Sequence, residues 1–206
     1  QKSLPALLVT DERNVTYLTG FTGDSSYLLV CPDRELLISD GRYVTQLAEE
    51  CPDLNLAIRL PGTQLPDFSA AVVGELGLSA LAIEADIVTV SFYEKLKTEL
   101  KSAALANTSG LVESLREIKD DGEIAEIREA IRIAERAFAV TRASLRLGRT
   151  EKEVADELEF QIRLFGGTCG AFPSIIGVGP RAALPHGRPI QGSRIGDHEF
   201  VLIDWG

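Results

Sequence analysis

Apolar positions follow two different rhythms along this chain of 206 residues. Up to about residue 115 they come in short runs broken by Gly, Pro and Asp, as expected where brief strands alternate with helices. Residues 6–9 read as a strand and 14–18 as an extended piece ending at Gly20. Residues 26–30 and 35–39 flank the turn-rich Cys31-Pro-Asp-Arg34 and read as a hairpin. Then follow a helix over 43–50, a strand over 56–60, a helix over 67–76 closed by Gly77, and a strand over 81–84. A helix over 92–100 and a strand over 103–106 complete the region. Early strands followed by αβαβ predict an α/β domain, a mixed sheet with helices packed on it.

The charged segment 115–121 marks a boundary, dividing the chain into regions 1–114 and 115–206. Asp120 with Glu123 makes a capping box. Ile124, Ile127, Ile131, Ala134, Phe138, Thr141 and Leu145 then recur at helical spacing up to Gly148. Thr150 and Glu153 form a second box, and Val154, Leu158, Ile162 and Phe165 stripe the next helix, which Gly166-Gly167 ends. Residues 174–178 and 199–203 are β-rich, with a Gly/Pro/Arg loop between them, so the second region is α+β. There is no internal repeat.

Composition narrows the function. Apolar residues make up 45 % and charged residues 25 %, the balance of a soluble globular chain. A net charge of −10 argues against nucleic-acid binding, which normally draws on clustered Lys and Arg. No apolar run is long enough to span a bilayer. Residues 1–5 lack the basic and apolar pattern of a leader peptide. Cys31, Cys51 and Cys169 are odd in number and far apart, which reads as free thiols in a reducing compartment. Phosphate-binding glycine loops, a G-x-S-x-G elbow and zinc-finger spacing are all absent.

Two residues stand out chemically. Asp204 interrupts the apolar run Phe200-Val-Leu-Ile-Asp-Trp205. Period-two alternation puts Phe200, Leu202 and Asp204 on one face and Val201, Ile203 and Trp205 on the other. With both faces apolar, the strand is expected to be central and the carboxylate at least partly buried. It could then brace its own sheet through backbone N–H groups or an ion pair, or ligate a hard divalent metal. His186 lies in Leu184-Pro-His-Gly-Arg188, where rigid backbone holds an imidazole within reach of solvent. That suits proton exchange near neutrality, and equally an ordinary loop histidine. His198, in Gly196-Asp-His198, reads as the turn into the Asp204 strand.

The segment from Phe172 through Pro185-His186-Gly187 to Ile203-Asp204-Trp-Gly206 resembles the pita-bread metallopeptidases, in particular their Xaa-Pro aminopeptidase and prolidase branch. Upstream, Leu115-Arg-Glu-Ile-Lys-Asp120 with Glu123, Ile124, Ile127 and Arg128 resembles that branch's linker and first helix. Arg13-Asn14, Tyr17-Leu-Thr-Gly-Phe-Thr-Gly23 and Asp40-Gly-Arg-Tyr43 with Gln46 resemble its N-terminal domain. The resemblance implies a ribonuclease-H-like creatinase N-terminal domain and an incomplete pita-bread catalytic domain. It implies two divalent metal ions, manganese in this branch, held by two Asp, one His and two Glu. Asp204 matches the first Asp, and His186 the histidine that contacts substrate and stabilises the transition state. It implies a cytoplasmic homodimer acting on peptides, with an aminopeptidase that removes a residue preceding proline as the leading activity. An X-Pro dipeptidase, a creatinase-like amidinohydrolase and a non-catalytic binding module are the alternatives. The remaining four ligands do not occur in these 206 residues. The expectation is therefore a piece of a longer enzyme that hydrolyses nothing by itself.

Overall fold

The computed structural model describes residues 6–101 and 103–206. Residues 1–5, where no leader pattern is expected, lie outside them. The chain divides into two compact units, Gln1–Ile118 and Lys119–Gly206.

The first unit is built on a six-stranded mixed sheet, in the order β4-β3-β2-β1-β5-β6. Its strands are β1 (Leu7–Val9), β2 (Tyr27–Val30), β3 (Glu35–Asp40), β4 (Asn55–Arg59), β5 (Ala80–Glu84) and β6 (Ala104–Thr108). The β1–β2 and β2–β3 pairs are antiparallel, while β3–β4, β1–β5 and β5–β6 are parallel. The parallel pairs need crossovers, which α2 (Val44–Glu50), α3 (Leu65–Glu75) and α4 (Val90–Glu99) provide. Strand alternation sends Leu8, Leu29 and Ile38 into one apolar cluster with Val73 and Leu96. Their neighbours Val9, Leu28 and Leu37 enter a second cluster with Val15, Phe21 and Leu47. The central strands are thus covered on both faces, which explains why they read as continuous apolar runs.

Residues 14–18 are not extended; they lie in α1 (Glu12–Thr19). The local caps outweigh the β-branched composition. Asp11 accepts from the Asn14 N–H at 3.0 Å. Gly20 ends the helix in the left-handed region at φ 79°, its N–H donating to Thr16 O. The helix also buries Asn14 completely. Its amide donates to Glu84 and to Glu113, both at 2.7 Å, and its oxygen accepts from Arg116 at 2.9 Å. Glu113 and Arg116 belong to α5 (Leu111–Glu117), a helix that the charged composition concealed. At the end of β3, buried Asp40 receives Arg42 at 2.8 Å and Arg59 at 2.7 Å. The hydrogen bonds from Arg42 hold its carboxyl well below the usual carboxylate range, against the opposing effect of burial.

The second unit packs α6 (Asp121–Ala143) and α7 (Glu151–Leu164) against a two-stranded antiparallel sheet, β7 (Ile175–Val178) and β8 (Val201–Asp204). Both capping boxes form. The first helix ends at Ala143 instead of running on to Gly148. Gly148 is instead a left-handed turn (φ 84°) whose N–H donates to Ile195 O at 2.8 Å. Val154 and Ala155 of α7 pack on Ile176, Val178, Val201 and Ile203. Trp205 stacks on Phe138 with ring centroids 4.1 Å apart and donates its indole N–H to Ala134 O. No described helix is long and apolar enough to cross a membrane.

Candidate functional site

The two strands of the second unit and the loop joining them enclose a pocket of about 420 Å³. Its walls are apolar at Phe172, Pro173, Ile175 and Pro189. Ser174, His186, Arg188 and Asp204 supply the polar groups. Asp204 and His186, eighteen positions apart in the chain, therefore line one cavity.

Alternation along β8 turns Val201, Ile203 and Trp205 to the helices. Asp204 accordingly stands on the opposite face, toward the pocket. The expected burial does not occur: Asp204 is exposed. The strand has β7 as its one neighbour among the described residues. The Asp204 carboxylate makes no hydrogen bond or ion pair among the described residues. Such a carboxylate has the chemistry of a hard-ion ligand. Yet the described residues contain no group of three or more His, Cys, Asp or Glu side chains that could hold a metal. The residues present thus supply one candidate donor and do not by themselves make a metal centre.

The loop carrying His186 is held by a residue that pattern reading passed over. Glu151, the first residue of α7, is fully buried. It accepts from the Val178 N–H at 3.0 Å, the Ile190 N–H at 3.1 Å and Arg181 Nε at 2.9 Å. Arg181 also donates to Arg188 O at 2.8 Å. The start of the loop, at Val178 and Arg181, and its middle, at Ile190, are thereby fastened to one carboxylate. Burial alone would raise the pKa of Glu151; the Arg181 and backbone hydrogen bonds more than offset this and leave it lowered. One signal in the sequence was available: a Glu directly after the cap Thr150, facing the apolar side of the helix. Capping logic assigned the acidic role to Glu153 alone.

Gly177 in β7 allows the short 3₁₀ turn Gly179–Ala183 to fold back against the strand. A Cβ there would lie 2.8 Å from Ala182 Cα and 2.8 Å from Arg181 O, both backbone atoms. Gly177→Ala is expected to lower stability by about 1–3 kcal/mol through overpacking, measured by urea denaturation. His198 lies in an exposed turn with φ 60° and lines no part of the pocket.

The family description "Creatinase/Prolidase N-terminal domain" matches residues 1–118, and "Metallopeptidase family M24" matches residues 125–206. The chain belongs to this family, with its creatinase-type N-terminal domain and part of the pita-bread domain. Family membership implies use of a divalent metal. An Xaa-Pro dipeptidase from Bacillus anthracis superposes with a TM-score of 0.91 at 36 % identity, over 98 % of this chain and 56 % of that one. An X-Pro aminopeptidase from Thermotoga maritima MSB8 gives 0.87 at 32 %, over 98 % and 58 %. An uncharacterized peptidase of Bacillus subtilis (strain 168) is 31 % identical over all of this chain and 58 % of its own length. The chain thus spans rather more than half the length of these relatives.

Proposed function

We propose that the intact protein is a metal-dependent peptidase that cleaves the bond between an N-terminal residue and a following proline. The observation that carries this reading is the shared pocket: an unpaired carboxylate and an accessible imidazole open onto the same apolar walls. Phe172, Pro173 and Pro189 offer a surface suited to a pyrrolidine ring. An X-Pro bond lacks an N–H, so a site for it needs no acceptor there. Asp204 is the first ligand of a two-ion manganese centre whose other donors are not among these residues. A bound divalent ion would polarise the scissile carbonyl and supply a nucleophilic water at neutral pH. His186 stands where it can donate a hydrogen bond to the oxygen on which charge develops. Glu151 and Arg181 hold its loop, so that donation costs little reorganisation. A homodimer in the cytoplasm completes the reading, and three free cysteines fit a reducing compartment.

The test is hydrolysis by the intact protein, stripped with chelator and reconstituted with Mn²⁺. Xaa-Pro dipeptides and Xaa-Pro-Xaa tripeptides are compared with counterparts carrying alanine in place of proline. Metal-dependent cleavage of the proline peptides, at least about tenfold faster than their alanine counterparts, is expected. Cleavage indifferent to proline, or none with any divalent metal, would remove the reading.

A further inference from the structure

We infer that Arg181 is a positioning residue for the reaction: it grips the chain on both sides of His186, and that grip sets kcat. This role presupposes the proline-peptidase reading of the same pocket.

His186 is the third residue of a hydrogen-bonded turn over 184–187, in which the Gly187 N–H donates to Leu184 O at 3.3 Å. Pro185 precedes it and fixes one backbone torsion. The turn is tied at its start, where the Leu184 N–H donates to Arg181 O at 3.1 Å. It is tied again just past its end, where Arg181 Nη2 donates to Arg188 O at 2.8 Å. One residue thus closes a ring of chain around the histidine, from 181 to 188. The imidazole itself makes no hydrogen bond or ion pair among the described residues. Its placement therefore follows from the main chain that carries it.

Arg181 serves two partners at the fixed spacing of one planar fork. Nε donates to both Glu151 oxygens, at 2.9 and 3.0 Å, while Nη2 holds the Arg188 carbonyl. Glu151 is fully buried, so the guanidinium cannot turn away without leaving that carboxylate unpaired. With the fork locked on Glu151, the carbonyl on its other side is locked too. Arg181 does not line the pocket, so it acts through His186 and not on the substrate. Lysine offers one nitrogen in place of the fork: it keeps the charge beside Glu151 but does not also span to Arg188 O. A misplacement of about 1 Å can cost on the order of a hundredfold in rate.

The experiment measures kcat and KM of the intact, metal-loaded protein on an Xaa-Pro peptide, for Arg181→Lys, His186→Ala and the double variant. Arg181→Lys is expected to lower kcat at least about tenfold with KM changed less than about threefold, and to cost nothing further in the His186→Ala background. An unchanged kcat, or an equal loss with and without His186, overturns the assignment. Hydrogen exchange gives a readout independent of turnover. In Arg181→Lys the Gly187 amide is expected to exchange at least about tenfold faster, while the amides of α7 keep their wild-type rates. An unchanged Gly187 rate, or a loss of protection spread over α7, overturns the grip. If wild type cleaves no Xaa-Pro peptide, the proline-peptidase reading fails by itself, and the exchange measurement alone decides whether Arg181 holds the histidine turn.

Discussion

Replacing Asp204 by alanine in the intact protein is expected to weaken divalent-metal binding by at least about a hundredfold and to abolish measurable turnover. Changes in groups that merely support a ligand already cost about ten- to a hundredfold in affinity, so loss of a ligand should cost no less. In the metal-free 206-residue chain stability should move by no more than about 0.5 kcal/mol, because Asp204 is exposed there and partnerless among the described residues. That combination separates a ligand from a carboxylate that braces its sheet, which would lower stability and spare the metal. His186→Ala provides the contrast: metal content is retained, and kcat falls by about 10²–10³, the effect of removing one donor to a developing oxyanion. Metal analysis by mass spectrometry, denaturation and steady-state kinetics on the same preparations check all three. Loss of metal from His186→Ala, or full metal content in Asp204→Ala, would contradict these roles.

Glu151→Ala is expected to destabilise the second unit by about 3 kcal/mol, the lower end for removing one partner of a buried ion pair. The lower end applies because Arg181 keeps 31 % of its side chain in water. The Val178 and Ile190 N–H groups would also lose their acceptor. Glu151→Gln should cost less, since it keeps an oxygen acceptor. The pH dependence has a definite sign. The folded-state pKa of Glu151 lies below its ordinary value of 4.5, with Arg181 and the backbone donors outweighing burial. Its contribution is therefore fully present above pH 4.5 and is lost as pH falls through the lower, folded value. The stability difference between wild type and Glu151→Gln should shrink below pH 4.5 and stay constant above it. Urea denaturation between pH 3 and 7 measures this. A difference that grows toward acid would show the carboxylate to be unfavourably placed.

Where the sequence read correctly, the controlling interactions were local. The capping boxes at Asp120 and Thr150 involve residues three apart, and both form. The 26–30 and 35–39 hairpin and the alternation of Val201, Ile203 and Trp205 likewise follow from neighbouring positions. The misreading of 14–18 arose because Val15, Thr16 and Tyr17 favour strands, whereas the outcome depends on Asp11, Gly20 and burial of Asn14 against Glu84. Helix α5 was concealed for a similar reason: its charges are committed to Asn14, distant in sequence.

In the second unit the chain by itself singled out two candidate side chains, a histidine in a rigid Pro-Gly turn and an acid in an apolar strand. Tertiary structure alone decided that these two share a cavity, that Asp204 is open to solvent, and that Glu151 ties down the loop between them. The physical reason is range. Propensity, capping and alternation act within a few residues. Burial of a carboxylate and the closing of a pocket depend on which distant segments arrive beside it, and no local pattern encodes that.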